Sequence, residues 1–184
     1  MLLVSGSLAY DYIMNFSGYF RDHLLPEKLH SLSVSFFINK MERNFGGTAG
    51  NIAYNLALLG ERPTVLASVG NDYYTYRAWQ LKHGIDLSRV QTIKTLPTAG
   101  AYIMTDKSDS QITGFYPGSM NVKCKIKNIK SLLKKTKLAI VAPGNPGMAL
   151  EPKIVCTGIT ASDFNGMEKL CREKKVEFVV VGPD

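Results

Sequence analysis

Residues 46–70 read GGTAGNIAYNLALLGERPTVLASVG, and this stretch decides the fold. The glycine pair Gly46 and Gly47 precedes a helical pattern at 48–59, and a buried strand pattern follows at 64–69. Glycine permits a positive φ and has no Cβ that could obstruct a ligand. We therefore expect the backbone to approach a small polar ligand here, with free N–H groups and the positive end of the helix dipole facing outward.

Asn51 lies one turn inside this predicted helix. Its side chain can donate and accept hydrogen bonds at once, which suits a sugar hydroxyl. The alternative is a plain tight turn in which the glycines serve geometry alone and Asn51 is a local cap. The sequence contains no phosphate-binding G-x-x-x-x-G-K-[ST] loop, and this stretch is not the dinucleotide fingerprint G-x-G-x-x-G.

The rest of the chain alternates strand and helix patterns. Apolar runs that are typical of strands buried in a parallel sheet occur at 2–5, 64–69, 138–142 and 176–181. Helical patterns lie at 48–59, 73–83, 126–135 and 167–175. This alternation predicts an α/β fold in which helices flank a parallel sheet.

A second group of strand patterns is half-buried in character. These patterns lie at 12–16, 32–38, 99–105 and 111–116, and the last two flank a polar turn at 106–110 that predicts a hairpin. Strands interposed in this way suggest a small separate sheet that stands off the main one. Residues 143–166 are rich in Gly and Pro without a clean period, which predicts a long irregular segment.

Composition excludes several classes of protein. No apolar run is long enough to span a bilayer, and the N-terminus lacks a basic leader, so we expect a cytoplasmic protein with no membrane partner. The three cysteines form no C-x-x-C pair, which is typical of reduced thiols, and the three histidines are too scattered for a metal site. The cysteines are Cys124, Cys156 and Cys171, and the histidines are His23, His30 and His83.

The net charge of +7 is concentrated in seven lysines between residues 123 and 137. One interpretation is a nucleic-acid-binding patch. The interpretation that we favour is a solvated helix, because apolar residues recur at helical spacing and no aromatic side chains interleave with the lysines.

Two further elements carry candidate ligand contacts. Asp11 follows the first core strand, where ligands of open α/β sheets bind, and its carboxylate can grip two neighbouring hydroxyls. The small residues at 99–101 let a ligand approach, and Tyr116 and Met120 could pack on a flat apolar ligand. Each has a plain alternative: a solvated turn for Asp11, and ordinary core packing for Tyr116 and Met120.

Together these elements resemble the ribokinase-like (PfkB-type) kinases, and within them the adenosine and nucleoside kinases. The phrases GGTAGNIAYNLALLG, PTAGAYIMTD and QITGFYPGSM carry the resemblance over roughly the first 145 residues. The resemblance implies that Asp11 binds the sugar hydroxyls, that Gly46, Gly47 and Asn51 complete the sugar pocket, and that the small sheet is a lid. It also implies substrate contacts for Ala101, Tyr116, Met120 and Asn145.

The catalytic features of that family are not found in this sequence. The family's Gly-Ala-Gly-Asp run, which supplies the catalytic aspartate, is absent, and its N-x-x-E magnesium motif is not recognisable. The resemblance therefore implies ATP and Mg²⁺ for a complete enzyme and no motif for either group here. We expect residues 1–184 to form one truncated ribokinase-like domain whose C-terminal part is missing.

Three functions follow as expectations. The leading one is the substrate-binding half of a kinase that phosphorylates a primary hydroxyl of a ribose-containing, adenosine-like substrate, inactive by itself. The alternatives are a catalytically dead module that binds a sugar or nucleoside, and a basic nucleic-acid-binding domain. Because a truncated sheet would leave apolar surface uncovered, we also expect association into a homo-oligomer.

Overall fold

The structure is a computed structural model that describes residues 1–122 and 134–144, together with Leu132, Asn165 and Lys169. Chain contacts divide the protein into two compact units, Met1–Gly147 and Met148–Asp184, and the elements below belong to the first unit. The described strands are β1 (Leu2–Ser5), β2 (Ala9–Phe16), β3 (Ile38–Gly46), β4 (Pro63–Val69), β5 (Asp86–Thr92), β6 (Ala99–Thr105), β7 (Gln111–Tyr116) and β8 (Leu138–Val141). The helices are α1 (Thr48–Leu58) and α2 (Tyr74–Lys82), with short 3₁₀ turns at Phe20–Asp22, Pro26–Ser31 and Gly118–Asn121.

The first sheet is parallel throughout. Its strand order is β5-β4-β1-β8, and every pairing between neighbours is parallel. All seven residues of β4 are buried, as expected for an apolar strand in the interior of a parallel sheet. The parallel sheet and the α/β class predicted from the sequence are confirmed.

The second sheet is smaller and mixed. Its order is β3-β2-β6-β7, in which β2 and β6 run parallel while β3 and β7 are antiparallel to their neighbours. The hairpin of β6 and β7 has the bounds that the sequence predicted. The separate sheet that was expected to stand off the main one is therefore present.

An aromatic cluster joins the second sheet to α2. Tyr10 of β2 and Tyr76 of α2 are almost fully buried, and their ring centroids are 5.9 Å apart. Phe45 of β3 stacks on Tyr76 with the centroids 4.5 Å apart. These rings pack with Val4 and Val65 of the parallel sheet in one core, so a single core supports both sheets.

Two strand predictions need correction. The expected strand at 32–38 is wrong, because the strand is β3 and begins at Ile38. The apolar pattern before it has another cause: Phe36 packs on the rings of Phe16 and Phe20. Strand β5 was not predicted. It lies at the edge of the parallel sheet, where its side chains are exposed or half-buried and many of them are polar, so it lacks the continuous apolar pattern of a buried strand.

Several predictions fall on residues outside the described part of the chain. They are most of the helix at 126–135, the helix at 167–175, the strand at 176–181 and nearly all of the irregular segment at 143–166. Among the residues that the structure describes, no helix combines the length and apolar character that crossing a membrane requires.

Candidate functional site

Asp11 lies in the middle of a row of side chains that crosses the second sheet. It is the third residue of β2, where it pairs with Asn44 of β3 and with Ala101 of β6, and Ala101 pairs in turn with Phe115 of β7. Directly paired residues project from the same face of a sheet. We name Asn44, Asp11, Ala101 and Phe115 the Asp11 row. The alternative of a solvated turn for Asp11 does not describe the structure, because Asp11 lies within a strand.

The face that carries the Asp11 row is open and carries both apolar and polar side chains. Asp11 and Ala101 are half-buried, whereas Asn44 and Phe115 are exposed. The neighbouring row on this face contributes Ile13 and Ile103, which are also half-buried and pair with each other. The same row includes Glu42, which pairs with Ile13 and forms an ion pair with Lys40. Asp11 thus lies between half-buried apolar side chains and exposed polar ones on a face that is accessible to a ligand.

The carboxylate of Asp11 is held in an unfavourable environment. Burial raises the pKa of this carboxyl above its ordinary value. Among the residues that the structure describes, none donates a hydrogen bond to it or forms an ion pair with it. A half-buried carboxylate without a donor can accept hydrogen bonds from a ligand.

Gly46 and Gly47 have different structural reasons to be glycine. A Cβ added at Gly46 would lie 2.1 Å from Oδ2 of Asp11, so the carboxylate occupies the space of the missing side chain. Gly47 is the N-cap of α1 and has a φ of 87°, and a Cβ there would lie 2.5 Å from the carbonyl oxygen of Ser7. The glycine pair thus makes room for Asp11 and lets the chain pass close to the loop after β1.

The start of α1 is bonded within the protein. The backbone N–H of Thr48 donates to Oγ of Ser7 at 3.0 Å, and that of Ala49 donates to the carbonyl oxygen of Ser7 at 3.0 Å. The expectation of free N–H groups at this helix start is therefore wrong at its first two amides, because Ser7 satisfies them. This helix start does not offer those donors to an anion.

Asn51 lies in α1 with an exposed side chain, and its backbone N–H donates to the carbonyl oxygen of Gly47 at 3.0 Å. The side chain that bonds an amide of the helix start is Ser7, so the interpretation of Asn51 as a local cap does not describe the structure. Asn51 remains accessible to a ligand.

Tyr116 lies on the face opposite to Asp11. It pairs with Gly100, whose missing side chain would contact the rings of Tyr12 and Tyr102 on that same face. Tyr116 is 46% exposed, which also excludes ordinary core packing. The aromatic residue that the register brings to the Asp11 face is its neighbour Phe115. Pairing the predicted hairpin across its polar turn would have indicated Phe115, because side chains alternate between the two faces of a strand.

Two further predicted residues are not members of the Asp11 row as it is described. Met120 is half-buried in the 3₁₀ turn Gly118–Asn121, and Asn145 lies outside the described residues. Within the described ranges, no three His, Cys, Asp or Glu side chains come together as metal ligands.

Comparisons with known proteins place the chain among kinases. The sequence model of the pfkB family carbohydrate kinases matches residues 10–184. The nucleoside kinase of Methanothermobacter thermautotrophicus is 29% identical over 147 residues, which are 79% of this chain and 44% of that protein. The chain therefore spans about half the length of such relatives.

Solved structures agree with this assignment. The Burkholderia thailandensis nucleoside kinase in complex with inosine is 36% identical, with a TM-score of 0.63 over 81% of this chain and 47% of that one. The same kinase in a complex described as ADP-inosine gives a TM-score of 0.58.

A short match of a different kind also occurs. The human trifunctional purine biosynthetic protein adenosine-3 is 52% identical over 48 residues, which are 26% of this chain and 5% of that protein. The family model, by contrast, covers nearly the whole sequence. The chain belongs to the pfkB family of carbohydrate kinases.

Proposed function

We propose that the chain is the substrate-binding part of a kinase that transfers a phosphoryl group from ATP to a primary hydroxyl of a ribose-containing, adenosine-like nucleoside. The observation that carries this proposal is the half-buried carboxylate of Asp11, which lies against Gly46 on an open face of the second sheet. A carboxylate can accept hydrogen bonds from two neighbouring hydroxyls, as on a ribose. The relationship to nucleoside kinases supports the same substrate class.

The Asp11 row divides the work of binding between its members. Asp11 accepts hydrogen bonds from the ribose hydroxyls, while Gly46 gives its carboxylate room and Gly47 lets the chain turn into α1 beside the sugar pocket. Ala101 lets the nucleoside approach β6, and the flat base packs against the exposed ring of Phe115. Asn51 bonds a sugar hydroxyl at the start of α1. Met120 and Asn145 remain proposed substrate contacts, whereas Tyr116 is no longer one because it lies on the face opposite to Asp11.

The second sheet acts as the lid over this nucleoside. Its face carries half-buried isoleucines beside the Asp11 row, so closure would bring these apolar side chains toward the ribose. Exclusion of water keeps water from competing with the substrate hydroxyl for the phosphoryl group.

ATP and Mg²⁺ do not fit the described residues. The described residues include no group of three His, Cys, Asp or Glu side chains that could bind a metal ion. Ser7 accepts the hydrogen bonds of the first two amides of α1. We therefore assign no step of the reaction to a phosphate or metal in this part of the chain. Since the Gly-Ala-Gly-Asp run is absent from the sequence, we propose that the chain as given binds nucleoside without transferring phosphate.

Two neighbouring aromatic residues test the proposal. Phe115→Ala removes a ring from the Asp11 face, whereas Tyr116→Ala removes a similarly exposed ring from the opposite face. Titration calorimetry with adenosine and inosine should show a loss of affinity of roughly tenfold or more for Phe115→Ala and no change for Tyr116→Ala, because a stacked base contributes about 1–3 kcal/mol. Equal effects would overturn the assignment of this face.

Incubation with radiolabelled ATP separates binding from turnover, and labelled product would refute the proposal that the chain binds nucleoside without transferring phosphate.

The short match to the purine biosynthetic protein supports a second proposal. The nucleoside kinase relative aligns with 79% of the chain, and the compact units divide after Gly147. We infer that the 48 matched residues lie toward the C-terminal end and share ancestry with a purine biosynthetic enzyme. The unit 148–184 has 37 residues, so at least 11 of the 48 matched residues lie before it. Replacing 148–184 by a flexible linker of equal length should leave nucleoside affinity unchanged. A loss of affinity would assign these residues to the kinase site.

Association of the chain with itself is a further part of the proposal. Among the described strands, β8 has a neighbour only on the side of β1, and Leu138 and Val141 are each 49% exposed. An exposed apolar edge strand favours pairing with a second copy. Light scattering should show a dimer or larger species, and Val141→Lys should shift the population toward the monomer.

The spacing of the cysteines supports a reducing, cytoplasmic compartment.

A further inference from the structure

We propose that Tyr76 is a positioning residue that fixes Gly46 beneath the carboxylate of Asp11, an inference that rests on the proposed role of Asp11 in nucleoside binding. Tyr76 belongs to α2 and is 1% exposed. Its hydroxyl donates a hydrogen bond of 2.9 Å to the carbonyl oxygen of Gly46. A residue of the helix layer therefore holds the backbone of the glycine on which Asp11 packs.

The contact needs a third glycine. A Cβ added at Gly50 would lie 1.9 Å from the hydroxyl oxygen of Tyr76, so the hydroxyl reaches Gly46 only because residue 50 has no side chain. The three glycines of the 46–50 stretch thus have separate roles. Gly46 admits the carboxylate of Asp11, Gly47 makes the turn, and Gly50 admits the hydroxyl of Tyr76.

Packing leaves the Tyr76 ring little freedom. Phe45 stacks on it with a centroid distance of 4.5 Å and an angle of 6° between the rings, and Tyr73 meets its edge at 5.7 Å. Burial raises the pKa of the Tyr76 phenol, and the negative charge of Asp11 raises it further. The phenol therefore stays protonated and remains a donor.

Gly46 transmits the position of Tyr76 to the ligand site. Its carbonyl oxygen is bonded to Tyr76, while its α-carbon faces Oδ2 of Asp11. If the hydrogen bond is lost, Gly46 can shift, and the carboxylate loses the surface that fixes its direction. Tyr76 does not touch the nucleoside in this arrangement and acts through Gly46 and Asp11.

The test compares two buried tyrosines of the same region. Tyr76→Phe removes the hydroxyl that bonds Gly46, and Tyr73→Phe removes a buried hydroxyl that bonds Gln80 instead. We expect Tyr76→Phe to weaken adenosine binding roughly three- to tenfold, the range that one lost hydrogen bond gives. Tyr73→Phe should bind within about twofold of the unmodified chain even where its melting temperature falls.

A second measurement separates this inference from the proposed function. The carboxyl of Asp11 can be titrated by carbon NMR in the absence of nucleoside. In Tyr76→Phe its pKa should fall toward the ordinary value, because a loosened Gly46 admits water, whereas Tyr73→Phe should leave it unchanged. An unchanged titration of Asp11 in Tyr76→Phe overturns the positioning role. If the unmodified chain binds no nucleoside, the proposed function fails, and the NMR comparison still decides the role of Tyr76.

Discussion

The carboxylate of Asp11 lies where the side chain of residue 46 would be if that residue were not glycine, since an added Cβ would approach Oδ2 to 2.1 Å. Asp11 belongs to β2 and Gly46 is the last residue of β3, so two adjacent strands together make this arrangement. The same glycine lies one residue before the N-cap of α1. The conformation of one backbone position therefore decides both the direction of the carboxylate and the start of the helix.

Gly46→Ala should displace Asp11 and abolish most of the nucleoside affinity. We expect a loss on the order of 100-fold, the scale associated with ångström-sized misplacement of a positioning group. Gly114→Ala is the matched control, because an added Cβ there meets nothing within 4 Å and the residue lies in a strand of the same sheet. Calorimetric titration measures both variants. Similar affinities for the two would show that Asp11 does not need the space at residue 46.

Asp11→Asn should separate binding from stability. A hydrogen bond to a charged group contributes about 1.5–3 kcal/mol, so adenosine affinity should fall roughly 10- to 100-fold. Burial raises the pKa of the Asp11 carboxyl above its ordinary value of 3.8, so the folded state binds its proton more tightly than the unfolded chain. The contribution of this group to the free energy of unfolding is therefore largest below pH 3.8 and declines as the pH rises through the raised pKa.

At neutral pH the ionised Asp11 thus costs stability, and Asp11→Asn should melt at a temperature equal to or above that of the unmodified chain. Binding has the opposite dependence, because the ionised carboxylate is the competent acceptor. Affinity of the unmodified chain should decline on acidification through the raised pKa, whereas that of Asp11→Asn should stay flat. A destabilised Asp11→Asn with normal affinity would assign Asp11 a structural role.

The fold could be predicted from the sequence because its signals are local. The buried strands, α1, α2 and the hairpin of β6 and β7 all follow from periodicity and turn chemistry within short windows. The wrong strand prediction at 32–38 has a tertiary cause. The apolar side chain of Phe36 packs on Phe16 and Phe20, and the local sequence pattern does not reveal these contacts.

The site was only partly predictable for a related reason. Residue types indicated Asp11 and the glycines, but the face on which each side chain lies depends on strand register. A shift of one residue exchanges Tyr116 for Phe115. The bonds from α1 to Ser7 join residues about 40 positions apart, and no motif in the sequence announces them.

Thr98 links the two sheets, and its replacement should destabilise the fold. Its buried hydroxyl donates to Oδ1 of Asp72 at 2.6 Å and accepts a hydrogen bond of 2.9 Å from the backbone N–H of Gly70. Gly70 follows β4, and Thr98 precedes β6. Thr98→Val keeps the shape but leaves the Gly70 donor without this acceptor, which should lower the free energy of unfolding by about 1–3 kcal/mol.

Urea denaturation measures the effect of Thr98→Val, with Thr113→Val as its control. Thr113 is exposed on β7, so its change should stay within about 0.5 kcal/mol. A Thr98→Val variant as stable as this control would show that the hydroxyl does not tie the sheets together.

Asp106 closes the turn between β6 and β7 and ties it to the segment after β2. Its Oδ2 accepts a hydrogen bond of 2.8 Å from the backbone N–H of Phe20, while Oδ1 accepts bonds from Ser108 and Ser110 within the turn. Burial by itself raises the pKa of this carboxyl, but the hydrogen bonds outweigh burial and lower the pKa to about 2. The stability that Asp106 contributes is therefore present above its ordinary pKa of 3.8 and is lost as the pH falls through about 2.

Asp106→Asn should lower the melting temperature at pH 6, because an amide nitrogen replaces one acceptor among converging N–H donors. The difference from the unmodified chain should narrow between pH 4 and pH 2, since protonation removes the same charge from Asp106. Asp109→Asn is the control: it changes an exposed carboxylate in the same turn, and asparagine tolerates the positive φ of 59° at that position. Thermal melts of the three proteins across this pH range decide the matter. A difference for Asp106→Asn that stays constant from pH 6 to pH 2 would mean that the charge of Asp106 does not hold the turn.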